Sequence, residues 1–207
     1  MRIIILGAGI IGVTTAWELL KSGHEISIID RQKAPGLETS FGNAGLIAPG
    51  HSYAWTTPKL PGNLIKSIFQ RQQAFRFKWQ WDPNMWRWGI KFLLQCRQSK
   101  MKENTLRKHT LSLYSQKLFQ RLTHELEIDY HQNRNGLIYI FRTPESFLEG
   151  KAKMDILKDK MENLQLLSTN ELIAMEPSLK SMETPPAGGI YCSTDESGCC
   201  HEFTTAL

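Results

Sequence analysis

The stretch MRIIILGAGIIGVTTAWELLKSGHEISIID, residues 1–30, decides the fold of this chain. An apolar run from Ile3 to Leu6, rich in β-branched residues, predicts a parallel strand that is buried on both faces. Glycines in the pattern G-x-G-x-x-G follow, and then an apolar stripe of helical period that ends before Gly23. The run EISIID predicts a second strand that ends at Asp30. The order strand, helix, strand predicts a βαβ unit.

Each glycine of the pattern has its own physical reason in such a unit. Gly7 permits the tight turn from strand to helix, Gly9 lets a pyrophosphate approach the backbone, and Gly12 lets the helix pack closely on the strand. The helix N-terminus offers free N–H groups and the positive end of its dipole to phosphates. Asp30 stands where an acidic side chain accepts hydrogen bonds from a ribose. The combination favours a dinucleotide site over an unrelated glycine-rich turn.

The residues predicted to hold the nucleotide are Leu6, Gly7, Ala8, Gly9, Ile10, Ile11, Gly12, Asp30 and Arg31. The segment RQKAPGLETSFGNAGLIAPG (31–50) follows, and its prolines and glycines predict a long loop where a nicotinamide-binding domain usually returns to a helix. Polar side chains in it suit phosphate or ribitol oxygens, and small ones leave room for a flat ring, which favours FAD over NAD. These loop residues are Ser40, Asn43, Ala44, Gly45 and Leu46. Composition alone is equally compatible with a solvated surface loop.

The segments GAGIIGVTTAWELLKSGHEISIIDRQ and ETSFGNAGLIAPG together resemble the N-terminus of the D-amino-acid oxidase family of FAD enzymes. The loop is most similar to that of the family's bacterial dehydrogenases, which read T-S-x-x-N-A-G-x-I-x-P-G. The resemblance continues more loosely through IKSIFQRQ, GLIYIFRTPESF and STDESGCCHEFT, and so covers the whole chain. Leu46 and His51 stand where those dehydrogenases are expected to have Gln and Tyr, which leaves the substrate open.

The resemblance implies FAD as cofactor and a small-molecule D-amino acid, similar to D-alanine, as substrate. The reaction would be oxidative deamination to a 2-oxo acid and ammonia, with the electrons passed to a respiratory acceptor. A related enzyme acting on glycine, sarcosine or D-hydroxyproline stays open. Members of the family are about twice as long, so an inactive fragment or one half of a split gene is also open. Catalytic residues are expected beyond residue 207 and are not identified in this sequence.

The predicted fold class is α/β, or α+β overall, with an incomplete sheet. Residues 1–50 are expected to form the Rossmann-like FAD-binding βαβ unit and flavin loop. Residues 51–187 are expected to form a helical segment and part of an inserted, mixed α+β substrate domain, with a hairpin near 129–141 that turns at Asn135–Gly136. Residues 188–207, which begin with the strand GGIYC, are expected to return toward the FAD domain.

Further elements are predicted between the hairpin and that return. A helix is expected over 104–127, and another should start near Pro144. The run LQLLS predicts a short strand, and Ser168 and Glu171 have the spacing of a capping box.

Residues 51–110 differ from the rest in charge and aromatic content. They contain 12 Lys or Arg against two acids, and five of the six tryptophans of the chain. These are Trp55, Trp79, Trp81, Trp86 and Trp88. The pattern suits peripheral contact with an anionic membrane, and ordinary packing of a helical subdomain is an equal alternative. The resemblance favours the cytoplasmic face of the inner membrane in an otherwise cytoplasmic protein, and nucleic acid is not expected as a partner.

Several classes of site find no support in the sequence. With 41% apolar and 22% charged residues the chain has the composition of a globular protein. The uncharged stretch 3–17 is shorter than the roughly 20 residues that span a bilayer. The four cysteines lack zinc-like spacing and predict free thiols, and no metal site is expected. There is no H-E-x-x-H, Walker lysine or nucleophile elbow.

Overall fold

The computed structural model describes residues 1–62, 64, 81–158 and 163–207. Within these ranges the strands are β1 (Arg2–Leu6), β2 (Glu25–Ile29), β3 (Leu46–Ile47), β4 (Leu137–Phe141), β5 (Leu164–Leu167), β6 (Gly188–Cys192) and β7 (Glu196–Ser197). The helices are α1 (Ile10–Lys21), α2 (Pro83–Leu94), α3 (Gln98–Glu125), α4 (Pro144–Leu157), α5 (Thr169–Met175) and α6 (Cys200–Ala206). Short 3₁₀ turns lie at Pro49–His51 and Pro177–Ser181.

The predicted βαβ unit is confirmed. Strands β1 and β2 pair in parallel and α1 connects them. Gly7 has a φ of +104°, a conformation that favours glycine. A Cβ built on Gly12 would lie 1.9 Å from the carbonyl oxygen of Gly7, so only glycine lets α1 sit this close to the end of β1.

The sheet of the βαβ unit is incomplete, as expected. Among the described residues β1 pairs only with β2, which leaves the other edge of β1 without a strand. Apolar side chains on these strands remain in solvent, with Ile4 64% and Leu6 82% exposed. Parallel strands are normally covered on both faces, so this surface is unusual for an isolated domain.

A second, antiparallel sheet has the strand order β4-β6-β5. Helices α4 and α5 pack on it, and its core holds Met154, Leu157, Leu164, Ile190 and Cys192. The start of α4 at Pro144 and the strand β5 were both predicted. The capping box also forms, because Ser168 Oγ accepts from the N–H of Glu171 while the Glu171 carboxylate accepts from the N–H of Ser168.

The predicted hairpin near 129–141 is wrong. Strand β4 pairs with β6 instead, in a register that joins Leu137 to Cys192, and only Asn133 makes an isolated bridge, to Ser197. A type I′ turn needs positive φ at both central residues, but of the Asn135–Gly136 pair only Gly136 has one. The preceding residues are polar and are interrupted by the positive φ of His131, so they do not form a strand.

The expected return toward the first unit at residue 188 is also corrected. The strand GGIYC, β6, is the central strand of the second sheet. The return begins after it, where β7 pairs with β3 so that Leu46 faces Ser197, and where α6 packs against α1. The glycines at the start of β6 allow close packing against the surrounding side chains. A Cβ on Gly189, for example, would lie 3.1 Å from Leu172.

Helix α3 joins the two units. It was predicted over 104–127 and is confirmed, although it begins earlier, at Gln98. Its buried face is largely polar, and Leu111 is exposed. The buried residues are Met101, Thr105, His109, Gln116 and Thr123. A second core forms beside its C-terminal half from Ile128, Tyr130 and Phe203, with Phe119 packed against them.

Candidate functional site

A cleft of about 770 Å³ lies at the carboxyl ends of β1 and β2, and we call it the β1–β2 cleft. It brings together ten of the predicted cofactor residues: Leu6, Gly7, Gly9, Ile10, Ile11, Gly12, Asp30, Arg31, Ser40 and Asn43. Ala8 does not line the cleft and is buried behind it. Its backbone nevertheless contributes, because the N–H of Ala8 donates to Asp30 Oδ2 at 2.6 Å.

The packing around Gly9 gives little reason for a glycine at this position. Its φ of −76° and ψ of 176° are open to any residue. A Cβ built there meets only the hydroxyl oxygen of Ser40, at 3.3 Å, a contact that a small shift relieves. Gly12, in contrast, is required by the backbone beside it. A glycine at position 9 therefore keeps the floor of the cleft open for a ligand, which fits a pyrophosphate that approaches the backbone.

The N-terminus of α1 opens into the same cleft. The N–H groups of a helix's first turn have no acceptor within the helix. Here the N–H of Ile10 donates to Ser40 Oγ at 2.9 Å, while those of Ile11 and Gly12 are left to a ligand. The buried Ser40 hydroxyl keeps its own hydrogen to donate. The arrangement has the donors that an anion-binding site requires.

Asp30 holds the glycine turn to the end of β2. Its Oδ2 accepts from the N–H of Ala8, and its Oδ1 accepts from the N–H of Gln32 at 2.7 Å. The bond from Ala8, then that from Gln32, and also the charge of Arg31 lower the pKa of this carboxyl below its ordinary value. The carboxylate is ionised at neutral pH, and each oxygen retains capacity to accept a further bond, as from a ribose hydroxyl.

Arg31 lies at the rim of the cleft and pairs with Glu38. The guanidinium makes two parallel bonds, Nε to Oε1 at 2.9 Å and Nη2 to Oε2 at 2.7 Å, and the Gln32 amide also donates to Oε1. The pair raises the pKa of Arg31 and lowers that of Glu38. Because both side chains are exposed, the pair stabilises the loop only slightly.

A second cavity, of about 700 Å³, continues from the first, and we call it the loop cavity. Ile10 and Asn43 line both, so the two form one elongated site. Ala44, Gly45 and Leu46 line the loop cavity with Phe119 of α3. The further residues from α3 and from 198–203 were missed by sequence reasoning, since only the pairing of β3 with β7 brings them here.

The backbone gives Gly45 a structural reason in addition to the role predicted for it. Its φ is +61°, and a Cβ there would lie 2.1 Å from the carbonyl oxygen of Gly198. The absence of a side chain therefore lets the backbones of Gly45 and Gly198 come close together. The N–H of Gly198 donates to the Gly45 carbonyl at 2.9 Å and holds them there. Asn43 Oδ1 accepts from the N–H of Gly45 at 2.7 Å and shapes the same turn.

The Pro49–His51 turn that ends the loop is fixed from two sides. Asp195, fully buried, accepts from the N–H of Gly50 at 2.8 Å. His109 of α3 donates from Nδ1 to the carbonyl of Pro49 at 3.0 Å. Neither residue was predicted. No local signal marks them, because their partners lie 145 and 60 residues away in sequence.

The described tryptophans of 51–110 are exposed. Trp55 is 74% and Trp88 63% exposed, Trp81 is fully exposed, and Trp79 lies outside the described residues. Helix α2 buries none of its residues. Packing among the described residues therefore leaves Trp55, Trp81 and Trp88 largely uncovered. In the described ranges, no helix is long and apolar enough to cross a membrane, and no three of His, Cys, Asp and Glu are grouped as metal ligands.

Comparison with known proteins identifies relatives over the whole chain. Residues 2–207 match the family model described as DAO, FAD dependent oxidoreductase. The D-amino acid dehydrogenases of Rhizorhabdus wittichii and Paramagnetospirillum magneticum are 38% and 35% identical to it over 208 and 209 residues. Both matches cover 100% of this chain, which spans only about half of the relatives, 50% and 49% of their lengths.

Solved structures share the fold. Glycine oxidase from Geobacillus kaustophilus superposes with a TM-score of 0.66 at 21% identity, over 99% of this chain and 43% of that one. L-α-glycerophosphate oxidase from Mycoplasma pneumoniae, with FAD bound, gives 0.58 at 15% identity, over 100% and 42%. The resemblance and the mixed α/β fold class inferred from the sequence are thereby confirmed.

Proposed function

Since the chain belongs to the DAO family of FAD-dependent oxidoreductases, we propose that it is the FAD-binding part of an enzyme that oxidises D-amino acids. The β1–β2 cleft is the observation that carries the proposal, because its floor at Gly9 is open although packing does not require a glycine there. The relatives named D-amino acid dehydrogenase support the substrate. Glycine, sarcosine and D-hydroxyproline are the competing substrates.

The residues present fit the two ends of FAD. The pyrophosphate would lie against the Gly9 backbone and the free N–H groups of Ile11 and Gly12, and Asp30 would accept from the ribose. The isoalloxazine ring would occupy the loop cavity, which Ile10, Leu46 and Phe119 line with apolar surface. When bound, the flavin supplies the acceptor for two electrons and a proton taken from the amino acid. Loss of these electrons converts the amino acid to an imino acid, which water hydrolyses to a 2-oxo acid and ammonia.

Binding of ADP to the 207-residue chain tests the nucleotide assignment, because every residue proposed to hold ADP is described. Gly9→Val should lower the affinity for ADP, measured by equilibrium dialysis, at least about tenfold, since the branched side chain occupies the pyrophosphate position. Gly42→Val is the matched control, because a Cβ on Gly42 meets nothing within 4 Å. Equal ADP binding by the two variants would contradict the assignment.

The catalytic assignment needs a separate experiment. The chain joined to the second half of the Rhizorhabdus wittichii relative should reduce a dye with D-alanine. Turnover of glycine or sarcosine in preference to D-alanine would show that the proposed substrate is wrong, while the FAD assignment would stand.

A second candidate function is that of one part of a two-chain enzyme, with no catalysis by this chain alone. The exposed apolar surface of β1 and β2 favours it, since Ile4 and Leu6 lie on strands that need a covering element. The relatives' additional length corresponds to such an element. A reading frame next to this one that encodes the second half of the family fold would support a split enzyme.

The basic, tryptophan-rich stretch is proposed to hold the protein on the cytoplasmic face of the inner membrane. Trp81 and Trp88 are exposed beside Arg87 and Lys91 on or next to α2. Indole rings favour the depth of lipid headgroups, and Lys and Arg attract anionic lipids by about 1 kcal/mol each. This location would bring the electrons of the reaction to a respiratory acceptor.

A further inference from the structure

A third, smaller pocket of about 170 Å³ lies beside the Pro49–His51 turn, and we call it the His51 pocket. It is formed by His51, Tyr53, Tyr139, Phe141, Glu149 and Lys153, with neighbours from α4 and β6. It shares no lining residue with the β1–β2 cleft or the loop cavity. At about 30 Å³ for each water molecule, it holds a ligand of only a few non-hydrogen atoms.

The walls of the His51 pocket are aromatic and held in place. The rings of His51 and Tyr139 stack with centroids 4.6 Å apart and planes at 14°, and His51 meets Tyr53 edge-on at 5.2 Å. The Tyr139 hydroxyl donates to the buried Asp195 at 2.6 Å, so that ring cannot turn away. The pocket is therefore preformed, with an apolar surface for a short hydrocarbon group.

Three polar side-chain ends in this pocket make no hydrogen bond to any described residue. In the part of the chain that the structure describes, neither the His51 imidazole, the Tyr53 hydroxyl nor the Lys153 ammonium makes a hydrogen bond. The acidic side chain of the lining, Glu149, is already paired, because its Oε1 accepts from Lys59 at 2.6 Å. The ammonium of Lys153 therefore keeps its hydrogen-bond donors for a ligand, while its charge, in addition to the bond from Lys59, also helps to lower the pKa of the nearby Glu149.

The protonation states make all three ends hydrogen-bond donors. Burial, and then the charge of Lys153, lower the pKa of His51, so the imidazole is neutral at neutral pH and can donate from one nitrogen. Burial raises the pKa of Tyr53 to about 12, so its hydroxyl keeps the proton. A cation with two neutral donors matches a carboxylate. The carboxylate of the lining, Glu149, is paired with Lys59, so it is less available to an ammonium group than a free carboxylate would be.

We propose that the His51 pocket binds a small monocarboxylate with a short apolar side chain, of the 2-oxo acid class, more tightly than the corresponding zwitterionic amino acid. Lys153 and Tyr53 hold the carboxylate, and the rings of Tyr139 and Phe141 cover the hydrocarbon part. The assignment is independent of flavin. Where the proposed function also holds, the ligand belongs to the class of its product, and it binds directly against the turn that ends the flavin loop.

Equilibrium dialysis with radiolabelled pyruvate, on the 207-residue chain without FAD, tests this site. Lys153→Met should weaken pyruvate binding about tenfold or more, as expected for loss of a charged hydrogen bond. Lys151→Met is the matched control: it removes the same charge from α4, is exposed, and does not line the pocket. Tyr53→Phe should weaken binding severalfold, and D-alanine should compete at least about tenfold less well than pyruvate.

Three results would overturn the proposal: no saturable pyruvate binding at millimolar concentration, equal binding by the Lys153 and Lys151 variants, or equal competition by D-alanine. The readout is separate from that of the proposed function. Loss of ADP binding in Gly9→Val with pyruvate binding intact separates the two sites, and a failed D-alanine assay leaves the pyruvate result unchanged.

Discussion

The hydroxyl of Tyr139 donates to Asp195 Oδ2 at 2.6 Å, across 56 residues of sequence. The other oxygen of Asp195 accepts from the N–H of Gly50. One buried carboxylate thus connects the second sheet to the turn that ends the flavin loop. Burial and the bond to Asp195 both raise the pKa of Tyr139, so the donor stays protonated throughout the physiological range.

Tyr139→Phe should lower the free energy of unfolding by roughly 1–3 kcal/mol, because a buried carboxylate oxygen loses its partner. Tyr191→Phe provides a matched control on the neighbouring strand. Its hydroxyl donates to the Asn135 carbonyl at 2.9 Å, but in an exposed place where water can substitute. Urea denaturation of both variants measures the difference. Equal midpoints would show that the buried bond to Asp195 stabilises the fold no more than the exposed bond to Asn135 does.

Asp30 should make the stability of the βαβ unit depend on pH in the acid range. Its pKa is lowered in the folded chain from 3.8, so folding favours the ionised form. The stabilisation is fully present above the unfolded pKa and is lost as pH falls through the folded pKa. Asp30→Asn should therefore be less stable than the wild type at pH 6, and the gap should begin to narrow as pH falls below about 4. A gap that is constant from pH 7 to pH 3 would contradict this.

The tryptophan-rich stretch should bind vesicles according to their charge. Co-sedimentation should be strong with anionic vesicles, weak with zwitterionic ones, and reduced by salt. Replacing Trp81 and Trp88 by Ala should reduce binding severalfold. Tyr114→Ala, an exposed aromatic on α3, should not. Binding that ignores lipid charge and salt would remove the membrane proposal.

The 207-residue chain on its own should self-associate through its uncovered strands. Ile4→Lys should shift the chain toward monomer in analytical ultracentrifugation without a loss of stability, since Ile4 is already exposed. The chain alone should also retain FAD poorly and should not oxidise D-alanine, since a cofactor held at its adenosine end is poorly positioned at the ring. A yellow, monomeric preparation that turns over D-alanine would refute both expectations.

Local patterns in the sequence by themselves determined much of this protein. The βαβ unit follows from an apolar run, a glycine at the tight turn and a helical stripe, all within thirty residues. The start of α4 at Pro144 and the Ser168–Glu171 capping box follow from interactions three or four residues apart. Such features are settled by neighbours in sequence, so a sequence suffices to predict them.

Tertiary structure alone decided which strands pair and which polar groups are buried. Asn135–Gly136 carries a strong turn signal, yet β4 joins β6, because this pairing places Tyr139 and Phe141 on the same core as Ile190, wherever the partner strand lies in the chain. Asp195 and His109 gain their roles only when distant segments enclose them, since burial gives a hydrogen bond its energetic weight. Spacing along the chain encodes the nucleotide cleft, whereas the His51 pocket exists only because the fold brings three remote segments together.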